Sequence, residues 1–318
     1  MVFFSIIKPI ALTLSKEFVS AIILLVTLSL FIFSLLQFAP GEELLQLSSN
    51  HTQNIENPQL QTKRGNSSMS LITDYFQWLA NCLTGNFGIS SNNGLPVWDQ
   101  SLAYIKNSCL LIFLSLFLAI SISIPLSIFK VTNKYTYFEK PLSILINLFS
   151  VLPLFWVAYL FIYLSGSWFN HFPIYLTDQD INWQHILLPI LLLAIGSGVV
   201  VEMLTHLSAE LKRTLAQEYI LYARAKGASV AIHALKEGII FPLLTLLSNR
   251  IAYLFSATII VEQVFNWPGI GRLLWQAAQD RDMPLLMGAV LLTALIIRTV
   301  HFFSRSLYIL LNPRASHE

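Results

Sequence analysis

Between residues 218 and 227 the chain reads Glu218-Tyr-Ile-Leu-Tyr-Ala-Arg-Ala-Lys-Gly227, with Ala228 following. Ala223, Ala225, Gly227 and Ala228 carry almost no side chain, and Arg224 and Lys226 stand among them. Small residues let another surface approach the backbone closely, and two fixed positive charges give that surface something to read. The chemistry on offer is recognition, not bond making. A plainer account is a basic inner loop of a membrane protein with helix-favouring alanines. These residues alone do not decide between the two.

Two other charged residues stand in apolar surroundings. Arg250 falls near the middle of the apolar run Gly238–Val261, next to Ser248 and Asn249, and Glu262 closes that run. An arginine at such depth faces a bundle interior, a water-filled path or a partner. Pairing within the structure and a place on a transport path are both open for Arg250. Glu262 is placed at the outer boundary, anchoring the loop that follows.

Catalytic patterns are missing. There is no G-x-x-x-x-G-K-[ST] phosphate loop, no H-E-x-x-H, no C-x-x-C and no G-x-S-x-G elbow. The seven histidines lie scattered with no ligand spacing. The reading is therefore of a protein that is not an enzyme, with no metal site and no cofactor. Cys82 and Cys109 do not make a disulfide framework.

The elements that would position these residues are apolar spans. At 55% hydrophobic and 11% charged residues, with a mean hydropathy of +0.64, the composition excludes an ordinary soluble domain. A helix needs about 20 apolar residues to cross a hydrocarbon core. Phe18–Phe38, Cys109–Phe129, Pro141–Ser165, Ile186–Val201, Gly238–Val261 and Met283–Ser304 give six candidates. The expectation is an all-α, polytopic membrane protein: residues 1–17 a cytoplasmic lead, 18–304 the six-span domain, 305–318 a cytoplasmic tail. Residues 39–107 and 263–282 form outer loops, and 206–237 the long cytoplasmic loop. Twelve basic residues, from Lys8 to Arg314, fall on the side holding both termini. Five (Lys63, Arg64, Lys106, Arg272 and Arg281) fall on the other, so the termini are expected inside. In the first outer loop, Tyr75, Trp78, Leu79 and Leu83 are spaced to share a helix face at the membrane surface. Pro125, Pro153, Pro189 and Pro242 fall within four spans. The net charge of +2 is absorbed by this topology, and no nucleic acid is implied.

Several separated stretches then agree with one family. Phe38-Ala-Pro-Gly41 resembles an F-x-P-G entry to the outer loop. Gly85-Asn-Phe-Gly-Ile-Ser90, followed by Leu95-Pro-Val97, is similar to G-D-F-G-x-S…P-V, carried by Gly85, Phe87, Gly88 and Ser90. Tyr219, Ala223, Arg224, Ala225, Lys226 and Gly227 match a Y-x-x-x-A-R-A-K-G cytoplasmic loop. Glu262, Phe265, Trp267, Pro268, Gly269 and Gly271 lie in a segment matching E-x-V-F-x-x-P-G-x-G-x-L. Asn312-Pro-Arg314 resembles a D-P-R terminus. Together they resemble the B-type permease subunit of bacterial ABC transporters of the dipeptide/oligopeptide class; within it, the Phe87–Pro96 and Phe265–Arg272 stretches resemble the Sap-type (antimicrobial-peptide sensitivity) permeases. Asn86 and Asn312 replace the family's Asp, Leu221 and Tyr222 replace Glu and Ala, and Ala234-Leu-Lys-Glu-Gly238 replaces a basic run.

The resemblance implies a type I importer permease fold in the bacterial inner membrane. It implies a homologous second permease, two cytoplasmic ATPase subunits and a periplasmic solute-binding protein as partners. Residues about 208–228 are then expected to carry movement from the ATPases into the bundle, and the outer motifs to shape the outer mouth or receive the binding protein. Expected cargo is peptide, cationic antimicrobial peptides first, with general di- and oligopeptides or putrescine as alternatives. A self-sufficient channel or secondary transporter needs in-span coupling carboxylates or an inverted repeat, and neither is visible.

Overall fold

A computed structural model describes residues 2–38, 68–132, 144, 151–168, 183–227 and 229–311. Residues 39–67 of the first outer loop (Ala39-Pro-Gly41 among them), the basic loop past Thr132, the start of the Pro141–Ser165 run, most of 167–184, Ala228 and Asn312-Pro-Arg314 lie outside them. The described residues are helical, with one isolated bridge between Ile89 and Pro96. In chain order they form α1 (Val2–Phe38), α2 (Ser68–Leu83), α3 (Val97–Thr132), α4 (Leu154–Trp168), α5 (Trp183–Leu191), α6 (Val199–Leu215), α7 (Glu218–Ala225), α8 (Val230–Leu235), α9 (Phe241–Val264), α10 (Ile270–Gln279) and α11 (Met283–Leu311). Two π-helical stretches interrupt this run, Leu192–Gly196 after α5 and Lys236–Ile240 before α9.

Among the described residues four helical stretches are long and apolar enough to cross a membrane: Ser15–Ser34, Val97–Thr132, Val230–Val264 and Met283–Leu310. Ile186–Gly196 and Val199–Leu215, bent by 48° at their junction, supply a fifth as a broken span. Leu154–Leu164 is a shorter apolar helix, and the run expected there begins outside the described residues. Six spans are consistent with these elements. In α3, Lys106 and Lys130 stand 24 residues apart, roughly 36 Å along the axis, close to the thickness of a hydrocarbon core. Between them the exposed positions include Leu110, Phe113, Phe117 and Phe129, a surface that only lipid or another apolar face would solvate.

The chain divides into two compact units: Met1–Glu17, Asn107–Arg272 and Ile297–Glu318 form one, Phe18–Lys106 and Leu273–Ile296 the other. In the first, α6 and the π-helical stretch before α9 lie side by side at very short range. A Cβ on Gly238 would stand 3.1 Å from the Cα of Leu211, so a larger residue would have to push the two elements apart by a few tenths of an ångström. The first π-helical stretch is packed similarly, Gly196 lying against Leu154 of α4. Ser123 and Ser127 of α3 donate to the carbonyls of Val200 and Leu204 (3.3 and 3.4 Å), tying α3 to α6.

In the second unit, α2 is seated on α1. The Tyr75 hydroxyl meets Ser29 Oγ at 2.9 Å, and Phe33 stacks edge-on against Tyr75 and tilted against Trp78. The face expected to lie on the membrane surface is thus divided. Tyr75 is buried against α1 while Leu83 is 82% exposed. A buried tyrosine needs a hydroxyl partner, and Ser29 supplies one that local periodicity does not reveal.

Candidate functional site

The recognition segment is a short helix at the tip of a helical hairpin. One leg is α6; the other is α8 with the π-helical stretch and α9. The chain leaves α6 at Ala216, turns through an extended Gln217 and enters α7. Ile220 is fully buried and pins α7 to the first unit. Leu221 and Tyr222, on the other side, are 60% and 65% exposed, and Arg224, Ala225, Lys226 and Gly227 are exposed with them. Ala223 is half-buried. The Tyr219 hydroxyl donates to the Glu237 carboxylate, and its ring meets His233 edge-on at 6.0 Å, so α7 is fastened to the second leg. Burial first, then the hydrogen bond and charge of Glu237, push the Tyr219 phenol up to about 12. Lys226 Nζ lies 4.6 Å over the Tyr222 ring. Gly227 has a φ of +71° with open space around it, so glycine is required by the backbone turn and not by a neighbour. The place of family Glu and Ala is taken by Leu221 and Tyr222, the most exposed apolar residues of the helix.

The outer motif Glu262–Gly271 is a built turn between α9 and α10. Val264 ends α9, and Asn266 adopts a φ of +56°. Trp267 then folds back, its N–H on the Glu262 carbonyl at 2.9 Å, with Phe265 and Trp267 buried. The Glu262 side chain is fully buried and accepts from Ser108 Oγ, Gly271 N (2.7 Å) and Arg272 N (3.1 Å). Ser108 Oγ in turn accepts Ile270 N at 2.7 Å. The first amides of α10, which have no partner within the helix, are met this way. Negative charge is also best placed at that helix end. A Cβ on Gly269 would fall inside the Glu262 carboxylate, and one on Gly271 would stand 2.7 Å from Ile259 Cα. Asn107 completes the turn, donating to the Pro268 carbonyl (2.8 Å) and accepting from Trp267 Nε1 (3.3 Å). α10 itself lies inside the span of sequence expected to be loop.

The first outer motif closes on the start of α11. Gly85 and Gly88 have φ of +84° and +88°, and Asn86 Oδ1 accepts Gly88 N at 3.1 Å. An aspartate would accept the same bond, so this departure from the family pattern keeps the turn. Phe87 stacks on Trp98 at 5.4 Å, and both Phe87 and Val97 press on Gly288. Ser90 Oγ donates to Asp282, which also accepts Ser91 N and Leu285 N (both 3.2 Å). Asp282 caps α11, a role its place two residues before Pro284 and an apolar run would have signalled. Ser108 and Asn107 gave no signal, since they act across some 160 residues of sequence.

Arg250 pairs within the chain. Its guanidinium contacts the Glu202 carboxylate of α6 and stacks over the Tyr253 ring at 5.0 Å. The Tyr253 hydroxyl donates to the Ser197 carbonyl (3.0 Å), at the break between the first π-helical stretch and α6. An unpaired arginine in a span costs at least about 2.5–3.5 kcal/mol, so a partner is expected; Glu202, the residue just after the apolar run Ile186–Val201, supplies it. Among the described residues no group of three or more His, Cys, Asp or Glu is arranged to hold a metal, and Cys82 and Cys109 are free thiols.

Membrane-length helices joined through a hairpin with an exposed tip define a polytopic membrane protein. The chain belongs to the binding-protein-dependent transport system inner membrane component family, whose model matches residues 112–317. It is similar to the oligopeptide transport system permease protein AppB of Bacillus subtilis (strain 168), 25% identical over 305 residues covering 92% of this chain and 96% of that one. It is also similar to the dipeptide transport system permease protein DppB of Escherichia coli (strain K12), 26% identical over 276 residues, 77% of this chain and 80% of that one. A third relative is the glutathione transport system permease protein GsiC of Escherichia coli O1:K1 / APEC, 28% identical over 247 residues, 76% and 79%. The protein is thus a multi-pass component of the inner membrane.

Proposed function

We propose that this chain is one of two membrane-spanning permeases of a peptide-carrying ABC transporter, with ATP hydrolysed on separate cytoplasmic subunits. The observation that carries the reading is α7: an exposed helix held rigidly on a hairpin, in a chain whose relatives are named as peptide permeases. The Ile220 anchor and the Tyr219–Glu237 tie give α7 the stiffness that transmission of movement requires. Leu221, Tyr222, Arg224 and Lys226 offer an ATPase groove an apolar surface edged with positive charge. The partners are then a homologous permease, two ATPase subunits and a periplasmic solute-binding protein, with the bilayer as solvent. Both termini and α7 lie in the cytoplasm. Each outer turn, one stiffened by Glu262 and the other by Asp282, is assigned to shaping the outer mouth or receiving the binding protein.

Cells lacking the chain, with and without its restored copy, should differ in ATP-dependent uptake of labelled oligopeptide. Restored survival against a cationic antimicrobial peptide would move the cargo to the Sap type, which the Phe87–Pro96 stretch suggests. Putrescine flux alone would move it to polyamines. Gly227→Glu forces a Cβ and a negative charge onto a left-handed turn. It should lower uptake by roughly tenfold or more, given the backbone strain and charge conflict, with normal amounts of protein in the membrane. Undiminished uptake would sink the coupling role of α7.

A further inference from the structure

The chain contains two carboxylates in the same unit that are treated in opposite ways. Glu262 is fully buried and takes three donors, as a carboxylate fixed for structure should. Glu202 keeps 24% of its side chain exposed, and Arg250 keeps 30%. Apart from its contact with Arg250, Glu202 Oε2 has no conventional hydrogen-bond partner among the described residues. A buried ion pair is stabilising only when further hydrogen bonds complete it. This pair is left incomplete: Glu202 Oε2 itself is shielded, while the two side chains keep part of their surface exposed.

The surface around the pair is polar as well. Along α9 the exposed positions beside Arg250 are Asn249, Ala252, Tyr253, Ser256 and Ile260, at helical spacing, three of them carrying polar groups. The opposite face, with Leu246, Leu254, Phe255 and Val261, is buried. The exposed surface of α3 in the same unit shows what lipid-facing helix looks like here: Phe113 and Phe117 are 66% and 65% exposed. A stripe of asparagine, arginine, tyrosine and serine does not belong against hydrocarbon, and in membrane bundles such a stripe lines a water-filled cavity or a partner.

We propose that Glu202 and Arg250 form a polar station on the transport path, where they exchange their mutual contact for the charged ends of a peptide in transit. This rests on the peptide reading above. Arg250 receives the terminal carboxylate, for which a planar guanidinium is suited. Glu202 receives the terminal ammonium. Tyr253, held by its bond to the Ser197 carbonyl, is the fixed face against which Arg250 swings. Charge complementarity favours this occupant: an unmodified peptide carries one cationic and one anionic end, and because these lie about 3.3–3.6 Å apart per residue when extended, the two side chains must part to hold both. The station would distinguish peptides from nothing by side chain, leaving selection to other components.

The test uses the full complex in proteoliposomes with saturating binding protein and radiolabelled trialanine, whose only charges are its two ends. Arg250→Gln and Glu202→Gln should each lower the maximal transport rate by roughly tenfold. The double variant Glu202→Gln/Arg250→Gln decides the matter. Removing both charges relieves any uncompensated buried charge, so a structural pair would regain both thermal stability and transport. The station predicts recovered stability with transport still reduced about tenfold. Recovered transport in the double variant overturns it. Independently, Ser256→Cys in a Cys82→Ser/Cys109→Ser background should react with a membrane-impermeant maleimide during turnover, and trialanine should slow that reaction. A thiol that stays unlabelled in every state places this face against lipid or the second permease and also overturns the station. If the wild-type complex moves no peptide, the underlying reading fails first, which is a different result from active wild type with an active double variant.

Discussion

Glu262 shows how one side chain organises a turn. It gathers a serine hydroxyl and two backbone amides, so Glu262→Ala leaves three donors without their acceptor at about 1–3 kcal/mol each. Glu262→Gln keeps one acceptor oxygen but presents an amide to donors. Thermal unfolding of the detergent-solubilised protein should therefore rank the native residue above Gln, and Gln above Ala. Equal melting temperatures would show that the carboxylate does not hold the turn. The anchoring role was readable in the sequence, because an acid at the end of an apolar run followed by Pro-Gly-Ile-Gly has few other uses. Its partners were not. Ser108 and Asn107 are unremarkable polar residues at the start of another span, and only the folded chain brings them to Glu262. Arg250 marks the same limit: its type and depth demanded a partner, but nothing local to Arg250 could name Glu202.

At the scale of elements, the tie between Tyr219 and Glu237 fastens α7 to the second leg of the hairpin. Tyr219→Phe removes that tie while keeping the ring and its contact with His233. Losing a hydrogen bond of about 1 kcal/mol is worth roughly fivefold, and it should appear as fewer peptides carried per ATP hydrolysed, with ATPase binding intact. An unchanged ratio would assign the tie no part in coupling. Because the phenol is raised above its ordinary value of 10.0 to about 12, the donor form is favoured by the folded chain. The tie is complete below pH 10 and is lost only as pH climbs through about 12, so the ratio should not fall on its account between roughly pH 6 and 9. The long spans were legible from apolar run length. The interruptions were not: residues 206–237, expected as a loop, are largely helix, because Leu207, Leu211 and Ile220 are buried by tertiary packing that run length ignores. Likewise α10 was hidden within an outer loop, its amphipathic pattern too short to stand out beside six apolar runs.

For the whole molecule, the basic-residue asymmetry makes a definite claim about sidedness. A cytoplasm-active reporter fused after Glu318, and one inserted after Leu215, should both be active, while one inserted at Asn92 should be silent. An active reporter at Asn92 would invert the topology and remove α7 from the reach of any cytoplasmic ATPase. The family was legible from motifs scattered along the chain, but the cargo was not, since no residue in the motifs is committed to a particular peptide. The two π-helical stretches carry a further meaning. Each turn of that kind holds one residue more than the α-helix on either side of it, and one residue corresponds to about 100° of rotation. The segment from α6 to α8 that bears α7 is therefore bounded at Leu192–Gly196 and at Lys236–Ile240 by two phase shifts. A single-residue deletion within Lys236–Ile240 that restored α-helical register would leave the length of the span nearly unchanged, yet it would turn the whole of α9 about its own axis and carry Arg250 away from Glu202. In this protein the angular setting of a membrane helix is written in the count of residues in a turn that lies well outside the helix's middle.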